Sequence, residues 1–171
     1  TDQLAALTTS QMKGLTNAQL AKLTSTKLNS LEAVDFQALS ATQIKALTTA
    51  QIQGLSASTN NLVAALSTSQ VFAMTSAQIT KLAIADLNTS SLSSLSATQI
   101  KALTTNQIQS ITPAKIPALT ASQIASLTTS QIRALTTAPN QLGALTSTQI
   151  AALSPVQVAA MTTDQIASLN F

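Results

Sequence analysis

The chain has no cysteine, no histidine, no tryptophan and no tyrosine, and only three glycines and four prolines in 171 residues. Without cysteine it forms no disulfide and has no thiolate nucleophile, although this says little about compartment. Without histidine it lacks the side chain that ordinarily shuttles protons near neutral pH. The glycines, Gly14, Gly54 and Gly143, stand alone, so no phosphate-cradling glycine loop exists. Charge is sparse as well, with eight basic residues against five acidic ones. The basic residues are dispersed and no aromatics interleave them, which speaks against a nucleic-acid partner despite the net charge of +3. No apolar run approaches the roughly 18 residues of a membrane span, so no membrane insertion is expected. No signal peptide is visible, and the chain opens at Thr1, as a processed product or a cut piece would.

What the chain does have is an eight-residue repeat. Hydrophobic residues make up 45% of it, too many for a disordered tail. The unit reads L-[T/S]-x-x-Q-[I/V/L]-x-x, as in LTTSQIRA from Leu127. Its first column runs without a slip through Leu7, Leu15, Leu23, Leu31, Leu39, Leu47 and Leu55. It resumes at Leu66, Met74 and Leu82, continues from Leu95 to Leu135, and ends at Leu145, Leu153, Met161 and Leu169. Fixed-period self-similarity states how a fold is assembled and overrides any local window.

Each octad spells a helix start. Thr or Ser at the second position is a natural N-cap, whose hydroxyl accepts a first-turn N–H that has no partner within the helix. Gln three residues later can return a bond to the cap's own N–H, which completes a capping box. The Leu before the cap and the Ile after the Gln form a hydrophobic staple. Pro113 and Pro155 directly follow a cap, where a missing N–H does no harm. Asp2 and Asp164 fall near helix starts; Lys13, Lys22, Lys45, Lys81, Lys101 and Arg133 fall near helix ends, as the dipole favours. Gly14, Gly54 and Gly143 fall at unit ends, where a left-handed residue would close the turn.

One continuous helix does not suit this period. Eight residues overshoot two turns by about 80°, so the apolar stripe would wind around the axis. Strands do not suit it either, because the apolar spacing alternates five and three and sends neighbours to opposite faces. The pattern therefore predicts an all-α solenoid or superhelix of very short helices, one per eight-residue repeat. Each unit is stable only through its neighbours. Residues 1–171 form a single repeat domain of about twenty octads, interrupted near 56–65, 83–94 and 136–144. The interruptions are expected as bulged corners or surface loops, with the shortened unit around Asn88 to Ser94.

Few residues offer chemistry. The acids are Asp2, Glu32, Asp35, Asp86 and Asp164. Glu32 and Asp35 are spaced to share a helix face, as a general acid and base or half a cation site would be. Both also sit at cap and box positions, and capping explains them. No catalytic, cofactor-binding or metal-ligating residue is assigned, and the chain is read as non-enzymatic with no cofactor. Phe72 lies outside the two aliphatic columns and should project; Phe72 and Phe171 are the candidate partner contacts. The Gln column has a second conceivable use, since evenly spaced amides could bond from coil to coil as a ladder.

Strings such as ALTTAQIQGL, ALTTSQIRAL and ALTSTQIAAL resemble the short LTxxQI-type repeats of very large bacterial secreted or surface proteins, often labelled adhesin or haem-utilisation-related. The resemblance implies an extracellular or cell-surface, array-forming segment and supplies no catalytic residues. A haem role gains nothing from a chain without His or Cys, whose Met12, Met74 and Met161 stand in core columns. The expected function is a structural repeat protein of a bacterial exterior: a stalk, scaffold or filament subunit, with self-association end to end or laterally. The alternative is an adhesion or binding module for a glycan, a peptide or another surface. Paired threonines such as Thr48–Thr49 and Thr128–Thr129 motivate it.

Overall fold

The computed structural model describes residues 8–56 and 58–170. Among them there is no strand, only short helices joined by corners. The chain divides into two compact units at Ser94 and Leu95. The first carries α1 (Thr9–Gly14), α2 (Asn17–Ala21), α3 (Ser25–Asn29), α4 (Ala33–Gln37), α5 (Ala41–Ala46) and α6 (Thr49–Leu55). It continues with α7 (Leu62–Ala65), α8 (Thr68–Ala73), α9 (Ser76–Ile79), a 3₁₀ turn at Ile84–Asp86 and α10 (Thr89–Ser93). The second carries α11 (Ala97–Ala102), α12 (Thr105–Ser110), a 3₁₀ segment at Pro113–Ala118 and α13 (Ala121–Ser126). Then follow α14 (Thr129–Ala134), α15 (Ser147–Ala151), α16 (Pro155–Ala160) and α17 (Thr163–Ala167).

The predicted all-α repeat superhelix, with one short helix per octad, is the observed architecture. A helix this short is nearly all ends, so most of its backbone N–H and C=O groups need partners from elsewhere. At the start the capping box supplies them. Every helix with Gln at its third position closes both bonds of the box. At the corner two extended residues redirect the chain: Leu47 (φ −64°, ψ 142°) ends α5 and Thr48 (φ −71°, ψ 157°) starts α6.

The glycines do not close these turns. None of the described glycines has a positive φ; Asn61 alone does, at the start of α7. An extended Leu turns the corner without a left-handed residue. Gly54 has a different use: a Cβ there would lie 2.5 Å from Ser25 Cβ in α3, so α3 and α6 meet at a position only glycine fills.

Within each unit a segment packs on the segment three places on, so one coil has three sides. In the first unit α1 packs on α4, α2 on α5, α3 on α6, α4 on α7, α5 on α8, α6 on α9 and α8 on α10. In the second, α11 packs on α13, α12 on α14, α13 on α15 and α14 on α16. The Ile column and the corner Leu column both point into the coil. Ile44, Ile52, Ile124 and Ile132 are wholly buried, and Leu39, Leu47 and Leu55 nearly so. The charged ends behave as the dipole argument requires: Lys13, Lys45, Lys101 and Arg133 lie in the last turns of their helices.

The interruptions keep the columns in phase by different means. Thr59 and Asn60 form a turn that ends at Asn61, and α7 then restores Leu62 and Val63 to the core. Near 136–144 the chain makes a turn with a cis Ala138–Pro139 bond in place of a helix, yet Gln141 and Leu142 remain fully buried. The shortened unit lies earlier than the sequence pattern suggested. Leu87 to Ser94 is a full octad, with α10 capped by the Asn88 side chain accepting from Ser91 N–H at 2.8 Å. The loss falls at the 3₁₀ turn Ile84–Asp86, which fits fewer residues between Leu82 and Leu87.

Candidate functional site

Among the described residues the buried polar side chains are glutamines, apart from Ser91. Each such Gln sits at the third residue of its helix, or at the equivalent place in the 136–144 turn. Its side-chain oxygen faces its own corner: Gln43 Oε1 accepts the Ser40 N–H at 2.8 Å. Its amide nitrogen faces the coil before. Gln43 Nε2 donates to the Leu15 carbonyl at 2.7 Å and the Met12 carbonyl at 3.2 Å, both at the end of α1. Because α5 packs on α2, its start lies over the corner where α1 ends.

The same bridge recurs along both units. Gln51 reaches Leu20 and Leu23, Gln70 reaches Phe36 and Leu39, and Gln78 reaches Ile44 and Leu47. In the second unit Gln131 reaches Ile100 and Leu103, Gln149 reaches Ile116 and Leu119, and Gln157 reaches Ile124 and Leu127. One amide therefore serves a helix start in its own coil and a helix end in the coil before. These are amide-to-carbonyl bonds, so the Gln column works between coils without stacking as a ladder of amides.

At two places without that Gln, other side chains make the bond to the coil before. Asn88 Nδ2 and Ser91 Oγ together bond the Leu66 carbonyl, at 3.3 and 2.6 Å. Asn60 Nδ2 donates to the Leu31 carbonyl at 2.7 Å. Gln141 reaches Ile108 and Ile111 from a turn that has no helix around it. The sequence did hold a signal for this role. A capping box accepts Glu as readily as Gln, yet no octad has Glu at that position. The N–H₂ group is what makes the bridge to the coil before; Asp35 and Asp86, the carboxylates that do stand at this position, cannot donate it.

Among the described residues the carboxylates do not assemble a reactive centre; Asp2 lies outside them. Glu32 stands at the N-cap of α4 and makes no side-chain cap bond, contrary to the expected capping role. Asp35 does not return a box bond. Its carboxylate instead accepts the Thr9 hydroxyl of α1 at 2.9 Å, a bond between coils. Asp86 and Asp164 are exposed and lie on separate units. No group of His, Cys, Asp or Glu able to hold a metal occurs among the described residues.

Two surface features remain. Phe72 projects from α8, 64% exposed, over a shallow groove lined by Ala41, Thr68, Ser69 and Ser94. Phe171, the other candidate contact, lies outside the described residues. In the second unit Arg133, Thr137, Thr162 and Asp164 line a cleft beside the 136–144 turn, and Arg133 Nε there donates to the Ala160 carbonyl at 2.9 Å.

With the coil geometry in place, the chain can be set beside known proteins. Residues 28–59 and 139–170 each match the ALTTAQ repeat. This supports a short-repeat family: the first stretch runs from the end of α3 through α6, and the second from the 136–144 turn through α17. No curated protein and no solved structure matches the chain. No helix among the described residues is long and apolar enough to cross a membrane.

Proposed function

We propose that this chain is a non-enzymatic structural repeat protein of a bacterial exterior, acting as a stalk, scaffold or filament subunit that self-associates. One observation carries the reading: its buried polar groups are spent on joining coil to coil. No charged side chain is buried among the described residues. The lack of His and Cys in the sequence supports the non-enzymatic part. The likeness of its octads to repeats of large bacterial surface proteins supports the location. Antibody raised to the chain should label intact cells of the source bacterium. Labelling that appears only after permeabilisation would overturn the reading.

A second reading, a binding module for glycans, peptides or another surface, draws on the threonine pairs. The first Thr of a pair caps its helix, as Thr48 and Thr128 do. The second, at Thr49, Thr105 and Thr129, is exposed and has no capping duty. Retention on a glycan array, lost when these three are changed to Ala, would favour this reading over the first.

A further inference from the structure

The chain has a single arginine, Arg133, near the end of α14, at a place where other octads carry Lys13, Lys45 and Lys101. Its Nε bond to the Ala160 carbonyl fixes the plane of the guanidinium. Its two Nη groups donate to no described residue. Arg133 lines a cleft of about 330 Å³ within the second unit, beside the 136–144 turn that stands where other octads have a helix. Asp164 lines the same cleft, yet the two form no ion pair, and the carboxylate accepts no bond from a described residue. The exposed Gln109 amide and Thr137 hydroxyl border it as well, and neither bonds a described residue. Beneath these polar groups the floor is apolar: Leu135 and Ala134 are 4% and 8% exposed.

The two charges select the ligand by cancelling. An anion drawn to Arg133 meets Asp164, and a cation drawn to Asp164 meets Arg133. A neutral ligand dense in hydroxyls meets neither penalty. A hydroxyl both donates to a carboxylate and accepts from a guanidinium, and an amide or a second hydroxyl serves it either way. Its C–H edges can cover Ala134 and Leu135 while its hydroxyls face the rim. The cleft is at the small end of ligand sites, which run from roughly 300 to 1,000 Å³, so it suits a sugar unit and not a folded partner. We propose that this cleft binds a neutral sugar unit, whose hydroxyls donate to Asp164 and accept from the Arg133 Nη groups, with Gln109 and Thr137 bonding the remainder. The site goes beyond the structural role proposed above. It is also separate from the exposed threonines of the second reading, since Thr49, Thr105 and Thr129 do not line it.

A sole arginine gives one Nε–H signal in a proton–nitrogen correlation spectrum, which makes the site directly observable. The full chain is titrated with the methyl glycosides of glucose, galactose and mannose and with N-acetylglucosamine. Acetate and glycine are the anionic and zwitterionic comparisons. At least one sugar should shift the Arg133 signal and the backbone amides of residues 134–138 saturably, and acetate and glycine should leave them in place. Arg133→Lys keeps the charge and loses the planar fork; Asp164→Asn keeps an acceptor and loses the charge. Each should weaken sugar binding about tenfold or more, read from the same backbone amides. Thr49→Ala with Thr105→Ala and Thr129→Ala should leave it unchanged. Far-UV circular dichroism should show every variant folded; if Arg133→Lys disturbs the fold by losing the bond to Ala160, Asp164→Asn carries the comparison. The absence of a saturable shift with any of these sugars overturns the proposal, as does saturation by acetate or glycine alone. Sugar binding kept by the cleft variants also overturns it, and its loss in the threonine variant would then assign it to the second reading. The surface-labelling experiment judges location separately.

Discussion

Replacing Gln131 by Glu exchanges one N–H₂ for an oxygen and tests the bridge with almost no change of shape. The wild-type oxygen accepts the Thr128 N–H at 2.8 Å, and a carboxylate can keep that bond. The amide nitrogen donates to Ile100 at 2.7 Å and Leu103 at 2.8 Å, and both bonds are lost. Gln131 is 2% exposed, so water does not readily replace them. Two net hydrogen bonds amount to about 2 kcal/mol. A charged oxygen held against two carbonyl oxygens adds to that, for a total of about 3 kcal/mol or more at neutral pH. In a chain of this size each kcal/mol moves a cooperative thermal midpoint by about 3 °C, so the expected drop is about 9 °C.

Gln11→Glu is the internal control. Thr8-Thr9-Ser10-Gln11 and Thr128-Thr129-Ser130-Gln131 are the same four residues with the same box. Gln11 is exposed and bridges to no described coil, so its change should move the midpoint by less than about 2 °C, with a small gain from an acid near a helix start. Acidification separates the two further. Burial raises the pKa of the carboxyl introduced at 131 above its unfolded value. Its neutral form is therefore favoured in the fold, and the missing stability returns as pH falls. Below about pH 4 the protonated group donates one bond again, and the deficit against wild type at the same pH should shrink to about 1 kcal/mol. Thermal melts followed at 222 nm at neutral and acid pH read both effects. Equal midpoints for the two variants at neutral pH would refute the bridge as a source of stability, and so would a deficit indifferent to pH.

Two further substitutions test local geometry in the same melts. Thr128→Ala removes the hydroxyl that accepts Gln131 N–H at 3.2 Å and should destabilise by about 1 kcal/mol, whereas Thr128→Ser should be nearly neutral. Gly14→Ala, with open space around the new methyl, should stabilise by about 0.5–1 kcal/mol through helix propensity. Gly54→Ala should destabilise instead, because its methyl meets Ser25 Cβ and Oγ at 2.5 and 2.7 Å, and adding Ser25→Gly should recover most of the loss.

The helix starts were legible because a capping box is local: Thr, Gln and their spacing lie within four residues, and the bonds formed there depend on little else. The two aliphatic columns were legible for the same reason. The number of sides per coil was not, because it depends on the angle at each corner, and Leu47 and Thr48 set that angle by backbone dihedrals that carry no residue signature. The glycine at unit ends was misread as a turn former. Position suggested a left-handed cap, but the reason for Gly54 lies a full coil back, in the approach of Ser25. Asp35 was misread in the same way: its place in the octad suggested a box, while its partner Thr9 comes from another coil. Short-range chemistry could be read from the string, and contacts made through the stacking of coils could not.

The interruptions indicate which part of the repeat is under constraint. At 136–144 the helix is gone and two residues are added, yet Gln141 still holds Thr136 N–H at 2.9 Å and the Ile108 carbonyl at 2.8 Å. At Asn88 the octad keeps its helix and loses its Gln, and Asn88 with Ser91 bonds the same kind of corner carbonyl. Helix and glutamine can each be replaced, but a donor to the corner below is retained in both cases. This order follows from energetics. A turn of helix can be exchanged for a turn of another kind, because either satisfies its own backbone locally. A corner carbonyl enclosed between coils has no local partner, and leaving it bare costs about 1–3 kcal/mol at every repeat. The unit of this fold is accordingly the bridge between coils, and the short helix is the commonest way of presenting it.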